Sequence, residues 1–216
     1  QTLYVADHDA VQQMNPYARL IADEAKQRGI IVDVIDEEYG LFNLSLGSRS
    51  ITCRESLSEM TSAVAMTKCD DKRLTRNLVS RAGIRTPEQI RHKDMDTSTA
   101  FMLQQGRVVV KPARGEQGAG ISVDISEPGE LETAIESAGN ICSDILIETY
   151  VKGEDVRIIV INHEVVAAAV RKPPAITGTG SHSIRELIEK HNRRRMAATG
   201  GESFIPDDAE TLRCLN

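Results

Sequence analysis

The chain has 216 residues, of which 40% are hydrophobic and 27% are charged, and these proportions are ordinary for a globular protein. Its net charge of −6 argues against non-specific nucleic-acid binding, which depends on neutralising phosphates. No apolar run approaches the roughly 18 residues of a membrane span, and no signal-peptide pattern is present, so we expect a cytoplasmic protein without a membrane partner. The four cysteines form no C-x-x-C pair, which indicates free thiols.

The first 64 residues predict a small β-α-β domain. Its helix begins at Asn15 and Pro16, because Asn is a good N-cap and Pro fits the first helical position. The segment that joins the first strand to the helix carries no phosphate-binding glycines, which indicates a structural or acceptor-substrate domain. The two strands of this β-α-β unit are expected to pair in parallel. The expected elements are a strand at residues 2–6, a helix at 15–29 and a second strand at 30–35. A segment of loops and short strands follows at 36–55, and a further helix at 55–66.

The remainder of the chain predicts two subdomains, residues 65–146 and 147–216. A helix capped by Asp70 comes first, and a polar stretch after Pro87 reads as irregular. The tail after Ala198 is polar, and we expect it to be mobile. Three further strands are expected at residues 108–111, 121–125 and 144–148, and two further helices at residues 128–138 and 183–195. A hairpin turn is expected at residues 162–163.

Residues 107–121, RVVVKPARGEQGAGI, predict a strand, a glycine-rich loop and a second strand. Lys111 stands at the entrance of the loop, and glycines there let backbone N–H groups approach a phosphate chain. The G-x-x-G-x-G spacing is neither a dinucleotide fingerprint nor a P-loop, both of which open a helix. The loop alone is explained equally well by a glycine-rich hairpin turn with a surface lysine.

A second element, residues 144–161, favours nucleotide binding. An apolar strand ends at Glu148, and a short connector leads to Asp155 and Arg157. Carboxylates are pure acceptors, so Glu148 could accept from an exocyclic amine of a base and Asp155 from ribose hydroxyls. The alternative is an ordinary β-hairpin with charged turn residues.

The two elements together resemble the ATP-grasp superfamily of carboxylate–amine ligases. The matching motifs are V-V-K-P with G-x-x-G-x-G-I, followed by E-T-Y-V-x-G-E-D-x-R. Residues 165–188 are most similar to N-acetylglutaminylglutamine synthetase, and also similar to cyanophycin synthetase and to the ATP-grasp part of bifunctional glutathione synthetase. Residues 178–181 read G-T-G-S where cyanophycin synthetases read G-D-G-K, which argues against cyanophycin polymerisation.

This resemblance implies a mixed α/β (α+β) fold: a truncated ATP-grasp fold preceded by the small β-α-β domain. It implies that Arg157 and Arg171 are catalytic arginines that face phosphate or a substrate carboxylate. It further implies that two lysines and the loop glycines bind the phosphates. Adenine would contact the Glu148 side chain and the backbone of Tyr150 and Val151, and Asp155 would bind the ribose. These nucleotide-binding residues are Lys72, Lys111, Gly115, Gly118, Gly120, Glu148, Tyr150, Val151 and Asp155.

The implied reaction uses ATP and Mg²⁺ to activate a carboxylate as an acyl phosphate, which an amine then attacks. The expected partners are ATP and small amino-acid or dipeptide substrates, and a homo-oligomer is left open. The family's Glu-x-Asn metal motif is absent from residues 158–216, so we expect no metal ligand within the chain, ligands beyond Asn216, and no ligation by these residues alone. The open alternatives are a glutathione-type or other amino-acid ligase, a non-catalytic nucleotide-binding module, and a structural α/β domain.

Overall fold

The fold is taken from a computed structural model, which describes residues 8–201 and 203–215. The strand expected at residues 2–6, and with it the parallel pair, lies outside the described residues. The helices are α1 (His8–Gln13), α2 (Pro16–Gln27), α3 (Ala63–Asp70), α4 (Lys72–Arg81), α5 (Met95–Gln105), α6 (Pro128–Gly139), α7 (Ile184–Thr199) and α8 (Ala209–Leu215). The strands are β1 (Ile31–Asp36), β2 (Leu41–Leu46), β3 (Arg49–Arg54), β4 (Leu57–Ser58), β5 (Gln89–Arg91), β6 (Val108–Pro112), β7 (Ser122–Ile125), β8 (Ile145–Thr149), β9 (Asp155–Ile161) and β10 (Glu164–Arg171).

These elements form two compact units, the first from the described residues up to 66 with 194–203, and the second from the rest. In the first unit α2 begins where predicted, because the Asn15 side chain accepts from the N–H groups of Tyr17 and Ala18. Its sheet has the order β1-β2-β3-β4 with antiparallel neighbours. The core consists of buried side chains from α1, α2 and this sheet: Val11, Met14, Ala18, Ala22, Ala25, Val32, Phe42 and Cys53.

The helix expected at residues 55–66 is wrong. Glu55 has a φ of 50°, which an α-helix does not permit, and the chain folds back so that Leu57 pairs with Arg54. Helix α3 begins only at Ala63. Ser62 caps it, because its hydroxyl accepts from the Ala65 N–H. Local turn chemistry therefore prevails over an apolar spacing that suits a helix.

The second unit contains a four-stranded antiparallel sheet in the order β5-β8-β6-β7. Burial alternates along β6, where Val108 and Val110 are buried against α5 and α6 while Lys111 faces the other side of the sheet. The stretch after Pro87 is more regular than expected, because it contains β5 and the start of α5. Asp94 caps that helix by accepting from the Thr97 N–H at 2.7 Å.

Strands β9 and β10 form a separate two-stranded sheet. Its two-residue turn at Asn162 and His163 is confirmed, and both residues have positive φ, as a type I′ turn requires. Helix α7 extends to Thr199, beyond its predicted end. Every residue of the hairpin is exposed.

The mobile tail expected after Ala198 is also wrong, since it contains the end of α7 and the whole of α8. Helix α8 lies against the free edge of β7, where Glu210 accepts from the Val123 N–H at 3.1 Å and Arg213 donates to the Val123 carbonyl. Two charged side chains thus satisfy both backbone groups of an edge residue. None of the helices in the described ranges is long and apolar enough to cross a bilayer.

Candidate nucleotide-binding site

A cleft of about 290 Å³ lies in the second unit, where α4 faces the side of the sheet opposite the helical core. Three of the predicted site residues, Lys72, Lys111 and Glu148, line it together. They come from the start of α4, from β6 and from the end of β8 respectively. The complete lining is Cys69, Lys72, Thr75, Arg76, Val79, Thr86, Pro87, Lys111 and Glu148.

Helix α4 presents Lys72 at its first residue. Asp71 is the N-cap, accepting from the Leu74 N–H at 2.9 Å, so the predicted cap at Asp70 is displaced by one residue. Asp71 is 7% exposed and also lies 3.4 Å from the Arg114 guanidinium. This ion pair explains why Asp71, and not the adjacent Asp70, caps the helix. The cap thereby joins the helix that carries Lys72 to the entrance of the glycine loop.

Lys72 is bound to that loop twice. Its N–H donates to the Ala113 carbonyl at 3.0 Å, and its Nζ donates to the Gly115 carbonyl at 2.9 Å. Burial lowers the pKa of Lys72, and the nearby Lys111 ammonium lowers the pKa further. Two ammonium groups that repel each other in one cleft are suited to a polyanion such as a phosphate chain.

Lys111 pairs with Glu148 inside the cleft. Their Nζ and Oε2 atoms are 2.7 Å apart, and the side chains are only 18% and 15% exposed. Gln89 donates to the same Oε2 atom, also at 2.7 Å. The carboxylate that the sequence assigns to base recognition is therefore held from both sides.

The glycine loop needs glycine most clearly at Gly120. Its φ is 67°, and a Cβ atom there would lie 2.9 Å from Ile141 and 3.2 Å from the Ala138 backbone. Gly118 also has positive φ, at 83°, but a Cβ there would meet open space. The loop conformation thus depends on glycine for two reasons, backbone strain at both positions and close packing at the second.

The remaining predicted residues are placed differently. The Tyr150 N–H donates to the Arg107 carbonyl at 2.9 Å, so its carbonyl is the backbone group that a ligand can use, and Val151 is 64% exposed. Asp155 and Arg171 form an ion pair at 2.7 Å in the β9–β10 hairpin, with Arg157 on the same hairpin. Within residues 8–201 and 203–215, no hydrogen bond or ion pair connects these three with Lys72, Lys111 or Glu148.

Sequence reasoning missed two polar residues at the site. Arg76 lines the cleft one turn after Lys72, and its Nε donates to the Pro87 carbonyl at 2.8 Å. The i, i+4 spacing from Lys72 could have indicated it. Gln89 gave no usable signal, because it lies in a three-residue strand and its partner is 59 positions away.

Comparison with known proteins agrees with this geometry. Residues 69–175, which contain the cleft, the glycine loop and the hairpin, match the family model described as RimK-like ATP-grasp domain. The central part of this chain therefore matches an ATP-grasp domain. The resemblance of the sequence motifs to the ATP-grasp superfamily is thereby confirmed, and ATP-grasp ligases as a family use ATP and Mg²⁺.

Two relatives show the extent of the similarity. The chain is 29% identical over 194 residues to a cyanophycin synthetase from Trichormus variabilis, covering 89% of this chain and 21% of that protein. It is 26% identical over 193 residues to the glutathione biosynthesis bifunctional protein GshAB from Listeria innocua, covering 87% of this chain and 25% of that protein. The chain thus spans about a fifth to a quarter of the length of these curated relatives.

Solved structures show the same fold. A bifunctional glutathione synthetase from Pasteurella multocida matches with a TM-score of 0.51 and 21% identity, over 85% of this chain and 25% of that one. D-alanyl-alanine synthetase A from Vibrio cholerae matches with a TM-score of 0.52 and 12% identity, over 91% and 78% of the two chains. The expected mixed helix-and-sheet ATP-grasp fold is confirmed.

Proposed function

We propose that this chain carries the nucleotide-binding part of an ATP-dependent ligase that joins a carboxylate to an amine. The observation that supports this most directly is the cleft in which Lys72, Lys111 and Glu148 meet beside a glycine loop, within the segment that matches the ATP-grasp family. Its residues fit ATP in chemistry: two cations for the phosphates and one carboxylate for a base amine.

The proposed reaction has two steps. A carboxylate oxygen attacks the γ-phosphorus of ATP, which forms an acyl phosphate and releases ADP. An amine then attacks the acyl carbon, phosphate leaves, and the nitrogen loses a proton as the amide forms. Phosphoryl transfer mainly requires positioning and charge neutralisation, which Lys72, Lys111 and the loop amides provide in this proposal.

The other assignments remain part of the same proposal. Asp155 would accept from ribose hydroxyls, and Arg157 and Arg171 would face phosphate or the substrate carboxylate. Arg171 already pairs with Asp155 at 2.7 Å, so a ligand would have to share or replace that contact. Adenine would lie against Glu148 and the backbone of Tyr150 and Val151.

The metal ion of the family is not assigned to residues of this chain. In the described ranges, no group of three or more His, Cys, Asp and Glu side chains could hold a metal ion. Glu148 is the one carboxylate that the described residues contribute to the cleft lining, which is fewer oxygen ligands than the octahedral site that Mg²⁺ prefers.

The substrate is proposed more narrowly from the sequence. The motifs of residues 165–188 favour synthesis of N-acetylglutaminylglutamine, with a glutathione-type or other amino-acid ligase as the alternative. In either case the carboxylate and the amine belong to small amino-acid or dipeptide substrates.

Trapping of the acyl phosphate tests the proposed chemistry. Hydroxylamine attacks acyl phosphates to give hydroxamates, which are measured together with ADP. The assay uses the natural gene product that contains these residues, with ATP and either glutamine-derived carboxylates or γ-glutamylcysteine. Hydroxamate with the first set supports the dipeptide proposal, and hydroxamate with the second supports the glutathione-type alternative.

Lys72→Met provides the test of the site, with Lys68→Met as the matched control. Lys68 is exposed on α3, outside the cleft lining. We expect Lys72→Met to abolish ADP formation and the control to retain it. ATP binding without ADP or hydroxamate under any substrate would instead identify a nucleotide-binding module, and no ATP binding at all would refute the proposal.

A further inference from the structure

Glu148 occupies the central strand of a three-strand arrangement that fixes its neighbours. In β5, Gln89 is directly opposite Glu148, and in β6 Val109 is opposite it, with Lys111 two residues further along. Directly opposed residues of an antiparallel pair share one face of the sheet, and so do residues two positions apart. Gln89, Glu148 and Lys111 therefore lie on one face by backbone register.

The contacts agree with this register. Gln89 Nε2 and Lys111 Nζ each lie 2.7 Å from Glu148 Oε2. Both donors reach the same oxygen, which leaves Oε1 able to accept from a ligand. Next to this pair, the Thr149 N–H donates to the Glu88 carbonyl at 2.9 Å, which holds β5 against β8.

The two donors differ in what they do when a nucleotide binds. In the proposed function Lys111 turns toward phosphate, and it then gives up some or all of its contact with Glu148. Gln89 carries no charge that phosphate would attract. It is therefore the donor that continues to orient the carboxylate in the complex.

We infer, on the basis of the proposed function, that Gln89 is a positioning residue which holds Glu148 toward the 6-amino group of adenine. A carboxylate in that position accepts from an amino group and repels a carbonyl oxygen, so it distinguishes adenine from 6-oxopurines. Gln89 thus contributes to base specificity without contacting the phosphates.

Binding of ATP and inosine triphosphate tests this role. Inosine triphosphate carries an oxygen in place of the 6-amino group, and its binding is compared with that of ATP by calorimetry on the 216-residue chain. The variant is Gln89→Leu, which removes the donor and keeps an apolar side chain of similar size. Gln105→Leu is the matched control, because Gln105 is also half-buried and accepts from Thr149, the next residue of β8, at 2.8 Å.

The wild-type chain is expected to prefer ATP, and Gln89→Leu should reduce that preference about five- to tenfold, the net effect of one ordinary hydrogen bond. The control should leave the preference within about twofold. If Gln89→Leu does not fold, Gln89→Glu, which keeps the shape but presents a second carboxylate to Glu148, should lower the preference in the same direction. An unchanged preference in a folded Gln89 variant overturns this inference alone, whereas a wild-type chain that binds neither nucleotide overturns the proposed function and the inference with it.

Discussion

Removal of the Lys111 ammonium should destabilise the second unit by leaving Glu148 short of a donor. Exposed ion pairs contribute about 0.2–1 kcal/mol, and breaking fully buried ones costs about 3–5 kcal/mol. At 2.7 Å with 18% and 15% exposure, this pair lies between the two classes, and Gln89 still binds the carboxylate. We therefore expect Lys111→Met to lower the free energy of unfolding by about 2 kcal/mol, and Glu148→Gln by about 1 kcal/mol.

A double-mutant cycle isolates the interaction. The Lys111→Met/Glu148→Gln variant should be about as stable as Glu148→Gln alone, because the unpaired carboxylate is gone, which corresponds to a coupling of about 2 kcal/mol. Urea unfolding followed by far-UV circular dichroism suits the chain, which contains no tryptophan. A loss below about 0.5 kcal/mol in Lys111→Met, or additive single effects, would show that the pair does not stabilise the fold and would refute this reasoning.

Three further predictions concern the loop and the lysines. Gly120→Ala should destabilise the chain by about 2–3 kcal/mol more than Gly118→Ala in the same urea assay, because only the first Cβ would clash with Ile141. The pKa of Lys72 is lowered, and a bound anion should raise it because the anion favours the protonated amine, so ATP affinity should fall as pH rises through the alkaline range below 10.5. Calorimetry in buffers of different ionisation enthalpy should detect proton uptake on ATP binding in that range. Absence of proton uptake would contradict this prediction. Lys72→Met should weaken ATP binding about a hundredfold and Lys111→Met about tenfold, because Lys72 gives up a neutral carbonyl for phosphate whereas Lys111 gives up a carboxylate; the reverse order of affinities would contradict this.

The site was more predictable from the sequence than the surroundings that hold it. Lys111 and Glu148 could be predicted because each ends a short apolar run, and charged residues at strand ends face away from the core. Their 2.7 Å pairing could not, since it depends on the register of β6 against β8. The same limit applies to Gln89, whose strand is too short to show a period.

One error in the fold has a local cause and another has a tertiary one. The segment at residues 55–66 has helix-compatible apolar spacing, but a positive φ at Glu55 and the pairing of β4 prevent a helix there. Helix α8 was missed because a polar tail gives little amphipathic signal, and its position is set by side-chain contacts with Val123, nearly ninety residues away. Tertiary contacts decide in the second case, and they are not encoded in a window of neighbouring residues.

The two lysines differ in what they must exchange when a phosphate chain binds. Lys72 donates to a neutral carbonyl, that of Gly115, whereas Lys111 is paired with the charged carboxylate of Glu148. Replacing a carbonyl by a phosphate oxygen adds a charge–charge attraction, but replacing a carboxylate by a phosphate exchanges one attraction for another. Binding of an anion also offsets the two causes of the lowered pKa of Lys72, which are burial and then the repulsion from Lys111. Lys72 should therefore contribute more of the affinity, while Lys111 keeps the cleft stable before the nucleotide arrives.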